Sequence, residues 1–457
     1  MEMPLRLIGL LSVSLFCFMG QDSSLAQRVV TLSPAKSFMP HDISVAINPS
    51  NPGNILVLAK RVAFRGSGPS SHLFFSSDAG RTWAENDLSQ SGPNGSGSGF
   101  VGFDADGAAI RCYLPLDQRM SSEQNQFANR VFIRRSVIGD HQWGPPMTIV
   151  DHQQLGQPDE CKPWFVVDRM KTSSHKNNIY VAWSRHDAFN SDKPSDQSKI
   201  MFSASYDDGK NFTNPVSVSD QGGDCRNDDN TLRGALPVTS IRGEIYLVWS
   251  GPRGLQFDAS TDGGKSWGKD RVIAQNPGGW CSEVPGLMRH HGMPVCCVDR
   301  SFSIFKDSIY VCWVDERNKD KDVFLITSRD RGKTWTQILR VNNDAKRNGS
   351  DQFLCWMAVD PLDGSVNIVF YDRSGLQDGQ TGLSLARSVD GGRSFDQFRI
   401  DVLPFKCNER VFLGDYIGID AIGGRVVAAF PHFSEHDRLV LSAAIFDFVP
   451  GENILVR

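Results

Sequence analysis

Short apolar runs of five to eight residues recur along the chain, each bounded by Gly, Asp, Asn or Pro. Several are rich in Val, Ile, Tyr and Trp, as in Asn178–Ser184 (NIYVAWS), Glu244–Ser250 (EIYLVWS) and Ser308–Val314 (SIYVCWV). β-Branched and aromatic residues fit a pleated surface, and runs apolar almost throughout predict strands covered on both faces. Around each such run the same order repeats: a first apolar run, a turn, the Tyr/Trp-rich run, a third run such as Ile200–Ser205, and a fourth such as Pro215–Ser219. Four antiparallel strands per repeat predict an all-β fold, a β-propeller of four-stranded blades.

The repeat carries a local signature. Five segments read Ser-x-Asp-x-Gly-x-x-aromatic: Ser76–Trp83, Ser205–Phe212, Ser260–Trp267, Ser328–Trp335 and Ser388–Phe395. A sixth, Ser136–Trp143, keeps the ends but lacks the Asp and Gly. The six closing aromatics are 60, 69, 55, 68 and 60 residues apart. Ser and Asp side chains can bond the backbone of a tight turn, and Gly supplies positive φ. The aromatic is then free to tuck between neighbouring sheets. First-strand units counted separately begin near Asp42, Phe100, Pro163, Gly234, Pro294, Leu354 and Gly414. That predicts seven blades, or six if the Phe100 unit is an insertion. The last unit has no octapeptide, and Val29–Leu32 is a candidate for its missing outer strand.

Composition narrows the class. A chain of 457 residues with net charge −4 offers no electrostatic case for nucleic acid or an anionic membrane. Arg6 followed by the apolar run Leu7–Met19 and the small-residue site Ser24-Leu25-Ala26 reads as a signal peptide over residues 1–26. A retained anchor is the alternative, and the run is short for one. Residues 27–457 then form one exported propeller domain, secreted or periplasmic, expected to be a monomer. Of ten cysteines, Cys17 falls in the signal segment. Cys112, Cys296, Cys297, Cys312 and Cys355 lie in strand-like runs and read as buried small hydrophobes. Cys161, Cys225, Cys281 and Cys407 read as loop residues, where export permits disulfides. No cysteine spacing suggests zinc, and neither a metal nor another cofactor is expected.

These octapeptides and their strand context resemble the Asp-box (BNR) repeats of the sialidase superfamily, over roughly Asp42 to Phe448. The resemblance implies a propeller with its Asp boxes at the turn between third and fourth strands, and ligand binding on the opposite face. It also implies an exported glycosidase acting on acidic glycans of the sialic- or uronic-acid type. Its residues would stand just before first strands and just after second strands. Those positions hold His41, Asp42, Asp159, Glu160, Lys162, Arg233, His290, His291, Asp351, Gln352, Asp415 and Tyr416, then Arg61, Arg185, His186, Asp187, Asp315, Glu316, Arg317, Asp372, Arg373 and His432. Within Gly414-Asp415-Tyr416-Ile417-Gly418-Ile419, Tyr416 matches the family's nucleophilic tyrosine. Tyr416, Asp415 and Asp42 are therefore the catalytic candidates. Arg185, Arg233, Arg317, Arg373, Asp351 and Gln352 are the candidates for holding an acidic sugar, since arginine forks pair well with carboxylates.

Two features depart from the family. His41-Asp42-Ile43-Ser44 stands where an Arg-Ile-Pro segment would open the first blade, and no Glu is assignable as partner to Tyr416. A polysaccharide lyase, or a non-catalytic propeller that binds glycan or protein, are accordingly the other readings. Other residues have plain structural readings. Tyr416 could be a core tyrosine, and the arginines could lie in inter-blade salt bridges. His290-His291 reads as a loop feature, the Asp224–Asn230 stretch as a solvated acidic loop, and Gly95–Gly99 as a flexible surface loop.

Overall fold

The computed structural model describes residues 27–33, 39–61, 70–88, 99–115, 130–137, 142–152 and 158–456. The expected signal peptide, most of Gly95–Gly99 and residues 138–141 of the degenerate octapeptide lie outside them. No α-helix forms among the described residues, and none offers a helix long and apolar enough to cross a membrane.

The chain is an all-β propeller of seven four-stranded antiparallel blades, an architecture consistent with the resemblance to the sialidase superfamily. The innermost strands are Pro40–Ile47, Gly99–Phe103, Asp159–Val167, Arg233–Thr239, Val295–Val298, Gln352–Val359 and Gly418–Ile422, for blades 1 to 7. Each packs against the next around the axis, and the seventh returns to the first. Closure is made by the N-terminal strand Gln27–Thr31. It pairs with Leu439–Asp447, Val29 opposite Ala444, and so supplies the outer strand of blade 7. The strand anticipated at Val29–Leu32 is thus found where the last blade lacked one.

Second strands form the centre of each blade. Trp183, Trp249 and Trp313 occupy the same position in blades 3, 4 and 5, all fully buried. Burying such a side chain contributes roughly 1.5–3 kcal/mol, so the repeated Tyr/Trp pattern is a repeated source of stability.

The octapeptides form the turns between third and fourth strands. In the first, Gly80 N–H donates to Ser76 Oγ (2.8 Å), while the Asp78 carboxylate accepts from Arg81 N (3.0 Å), Thr82 N (2.9 Å) and Thr82 Oγ1 (2.7 Å). Those bonds, led by the ones from Thr82, hold the exposed Asp78 carboxyl down at about 2. Both the Gly and the residue before it have positive φ: Ala79 and Gly80, Asp208 and Gly209, Gly263 and Gly264, Arg331 and Gly332, Gly391 and Gly392. The turn therefore needs a second left-handed residue beyond the conserved pattern position. The closing aromatics reach back to the preceding blade. Trp267 meets Phe202 edge-on (4.9 Å between centroids), Trp335 meets Phe257 (5.4 Å), and Trp83 joins the core between blades 7 and 1.

The cysteine reading needs correction in part. Cys161 lies on the first strand of blade 3 and Cys281 on an added two-residue strand, not in loops. All nine cysteines of the described residues are free thiols. Cys112, Cys296, Cys312 and Cys355 are buried as expected, and Cys297 is partly so.

Two glycines with nearly equal φ separate backbone strain from crowding. A Cβ at Gly332 (φ +77°) would lie 2.5 Å from the Phe257 ring, whereas one at Gly349 (φ +76°) meets nothing within 4 Å. Gly349→Ala should cost about 1–2 kcal/mol, the left-handed penalty alone. Gly332→Ala adds overpacking, for a total of about 2–5 kcal/mol in urea unfolding. Equal costs for the two would show that the blade interface yields freely.

Candidate functional site

The face opposite the octapeptides is shaped by a repeated backbone device. In blades 1, 3, 4 and 6 the first strand carries a bulge whose leading residue has positive φ: Asp42 (54°), Lys162 (51°), Gly234 (86°) and Leu354 (50°). Three of the four are not glycine, a conformation that costs such residues of order 1 kcal/mol. The bulge breaks the ladder pairing just where each strand leaves the axial face.

Asp415, immediately before blade 7, is the centre of the cluster that results. Its carboxylate accepts from Lys162 Nζ (2.6 Å) and from Arg289 Nε and Nη2 (2.7 Å each), and lies 3.1 Å from His291 Nδ1. Its backbone N–H donates to Asp42 Oδ1 (2.9 Å), joining the last blade to the first. Asp42 stands 3.3 Å from His41 Nδ1. Arg289 and His291 come from an added hairpin, Cys281–Ser282 paired with His290–His291, between blades 4 and 5. The Arg289 guanidinium lies over the Phe412 ring (4.4 Å), which also packs on His41.

The electrostatics favour ionised acids beside neutral imidazoles. Burial pushes the Asp415 carboxyl up, but His291, Lys162 and Arg289 outweigh it and hold it well below the usual range. Asp42 is likewise raised by burial and brought down further by His41. Burial lowers His41 and His291 despite those carboxylates, so both are neutral near pH 7. Lys60, at the end of the second strand of blade 1, is pulled down by burial and attracted by Asp42. It forms no ion pair among the described residues.

Tyr416 forms the floor. Its ring meets Trp164 (5.9 Å) and Trp356 (5.3 Å), which continue through Phe100 and Phe165 into an aromatic plug across the axis. Burial, and then Asp42 and Asp415, hold its phenol protonated well above the ordinary value. No carboxylate hydrogen-bonds its hydroxyl among the described residues, so nothing there is placed to draw off its proton as a nucleophilic tyrosine requires.

The structure thus brings Asp42, Asp415 and Tyr416 together and places Arg233 beside them. Arg233 Nη1 reaches Cys161 Sγ (2.6 Å), and its guanidinium faces Trp280 (5.6 Å). The other expected sugar-binding residues are occupied within the blades. Arg185 pairs with Glu160 (Nη2 to Oε1, 2.7 Å), which also accepts from the Trp183 indole. Arg317 folds onto Asp315 and donates to Gln275 O. Arg373 donates to Pro285 O (2.7 Å) and faces Asp351 at 3.6 Å. Gln352 accepts from Asn342 and donates to Asp372, and Asp351 accepts from Lys321 N. Arg185, Arg317 and Arg373, expected in one arginine cluster or in salt bridges, each have an acidic neighbour at their own blade end. Arg289 and Lys60 take their place. The only sequence signal for Arg289 was its closeness to His290-His291, and Lys60 was overshadowed by Arg61.

The sequence matches no protein-family model and no curated protein. Similar solved structures include a protein of unknown function from Dyadobacter fermentans, 11% identical over 92% of this chain and 99% of that one, TM-score 0.49. A Hadza microbial sialidase is 14% identical over 84% of this chain and 74% of its own, TM-score 0.49. A Penicillium chrysogenum α-L-arabinanase complexed with arabinobiose is 11% identical over 93% and 99%, TM-score 0.48. At such identities and scores these likenesses carry no argument about activity, and the seven-bladed fold rests on the sheet topology itself.

Two outcomes test the cluster. Asp415→Asn leaves Lys162 and Arg289 without their counter-charge and should destabilise the fold by about 3–5 kcal/mol in urea. His290, lowered by burial to about 3 and bonded to Ser282 Oγ, stays neutral when the unfolded imidazole protonates near 6.5. The unfolded state then binds the extra proton, so stability is lost as pH falls below about 6.5, by about 1.4 kcal/mol at pH 5.5. Buried carboxyls such as Asp258, raised to about 6 by burial, act in the opposite direction, so the informative quantity is a difference. The stability change between pH 7.5 and 5.5 should become less unfavourable by about 1.4 kcal/mol in His290→Gln. An unchanged difference would mean that His290 takes up its proton in the fold.

Proposed function

We propose that this chain is an exported glycosidase that takes an acidic sugar at the axial face. The observation that carries the reading is the charge balance around Asp415. Lys60, Lys162 and Arg289 stand against two carboxylates, Asp42 and Asp415, with both histidines neutral. Arg233 extends the positive side. A site where basic side chains outnumber acids, one of them without an ion pair among the described residues, favours a carboxylate ligand.

The same balance gives Asp415 a way to act as an acid. Burial is the largest influence on it, and only its cations keep it ionised. A sugar carboxylate that draws Arg289 or Lys162 toward itself weakens that attraction and lifts Asp415 toward a range where it can hand a proton to a glycosidic oxygen. Asp42 and Tyr416 complete the catalytic set, with Arg233 a further sugar contact. Residues 1–26 direct export, and residues 27–457 act as one monomeric domain with no cofactor.

A second reading, a binding propeller without catalysis, is supported by Tyr416, whose buried hydroxyl has no carboxylate partner among the described residues. Incubation with a panel of sialylated and uronate-containing glycans separates the two. Hydrolysis should release the acidic sugar, and Arg289→Ala should lower kcat/KM at least tenfold, about 1.4 kcal/mol of lost transition-state stabilisation. An unsaturated product absorbing in the ultraviolet would mean a lyase instead. Retention on a glycan array without any cleavage would leave the binding reading, and neither cleavage nor retention would sink both.

A further inference from the structure

The octapeptide face carries a second concentration of positive charge, separated from Asp415 by the aromatic plug. Arg169 and Arg300 stand two residues past the first strands of blades 3 and 5, which end at Val167 and Val298, with Asp168 and Asp299 between. Both line a cavity of about 160 Å³ on the axis, walled by first strands and bounded inward by Phe100 and Trp356. Both also line an outer pocket of about 280 Å³, formed largely by Ile47, Pro49, Met170, Phe302, Leu362 and Ile422. Phe302 is 89% exposed and Leu362 65% exposed at its edge, an unusual display for large apolar side chains.

Neither arginine forms an ion pair or side-chain hydrogen bond among the described residues, and Arg300 Nη1 is buried without a partner. Two acids lie near them, and both spend their oxygens elsewhere: Asp420 on Ile47 N (2.8 Å) and Ala421 N (2.9 Å), Asp168 on Met170 N (3.0 Å) and Ser173 Oγ (2.6 Å). Burial and the like charge of Arg169 bring Arg300 down to about 10, so it is still charged near neutrality. The two guanidinium groups therefore carry their charge without a hydrogen-bonded counter-ion among the described residues, at the inner end of an apolar pocket. Leaving such a charge uncompensated away from water is costly, and an anion that supplies acceptors relieves the cost.

We propose that this mouth of the channel is a second binding site, for a monocarboxylate with an apolar tail. Arg169 and Arg300 take the carboxylate as paired forks, and the tail lies along Met170, Phe302 and Leu362 toward solvent. Asp420 disfavours a dianion there, and the apolar walls disfavour a hydrated inorganic one.

Calorimetric titration of the mature chain with octanoate tests the site, with 1-octanol and inorganic phosphate as comparison probes. Octanoate should bind saturably at one site, with 1-octanol and phosphate each at least tenfold weaker. Arg300→Met and Arg169→Met should each weaken octanoate at least tenfold, while Arg289→Ala on the opposite face leaves it unchanged. If Arg300→Met does not fold, the half-buried Arg169 carries the test alone. No octanoate binding by the wild type, equal binding of 1-octanol, or unaltered binding in Arg169→Met would overturn the proposal. Loss of binding in Arg289→Ala would do so too, by moving the ligand to the axial cluster.

Discussion

Everything in this molecule depends on the pairing of its two ends. Blade 7 has three strands of its own, and the fourth is Gln27–Thr31 from the start of the described chain. Without it, the edge of Leu439–Asp447 would present unpaired backbone groups to solvent. Closure also buries the core between blades 7 and 1, where Ile43, Val45, Val57 and Phe74 meet Val427, Leu441 and Ile445. An open arc would expose both apolar faces. The entropic cost of joining distant ends grows only slowly with length, so one strand pairing and one blade interface suffice to hold the ring. Closure also makes the site. Asp42 belongs to the first blade and Asp415 to the last, and the hydrogen bond between them exists only in the closed ring.

The same geometry divides the axis into two unlike halves. On one face Asp415 draws Lys162, Arg289 and His291 around it. On the other, Arg169 and Arg300 have two acids nearby, Asp420 and Asp168, whose oxygens are already used by other donors. Between them the edge-on and tilted rings of Trp164, Trp356 and Tyr416 form an apolar barrier. The low polarity of that barrier strengthens the electrostatics on both sides, because neither group of charges shares water across the axis. Tyr416 belongs to the barrier as much as to the cluster, which is why its phenol stays protonated.

The fold was legible in the sequence because its determinants are local. Ser76, Asp78 and Gly80 act within one turn, and the pattern Tyr-x-x-Trp in the second strands reflects burial on both faces of a single blade. Blade number followed from first strands, since a degenerate octapeptide such as Ser136–Trp143 hides a blade that its strands reveal. The site was only partly legible because its partners are non-local. Arg185, Arg317 and Arg373 stand at the expected positions, yet Glu160, Asp315 and Asp351 stand at matching positions nearby and pair with them. The sequence lists donors and acceptors at seven blade ends without saying which face each other. Arg289 was harder still, since it sits on a hairpin outside the repeat. The double left-handed turn was hidden for another reason: Ala79 and Arg331 have no preference for positive φ and are forced there by the turn around them, and only Asp208 is of a type that tolerates it.

Backbone strain at Asp42 and Lys162 invites a catalytic explanation, because strained residues concentrate at functional sites. The repeat argues otherwise. The same bulge occurs at Gly234 and Leu354 in blades 4 and 6, and Leu354 is an apolar, buried side chain that bears no chemistry. A device found in four of seven blades belongs to the propeller, where it releases a first strand from its neighbour near the crowded axis. What distinguishes blades 1 and 3 is the residue placed on the bulge, an acid in one and a base in the other. The charged cluster on this face therefore rests mainly on backbone that the propeller already repeats. Charged side chains at positions already turned out of the ladder were enough, with the added hairpin supplying Arg289 and His291 from above.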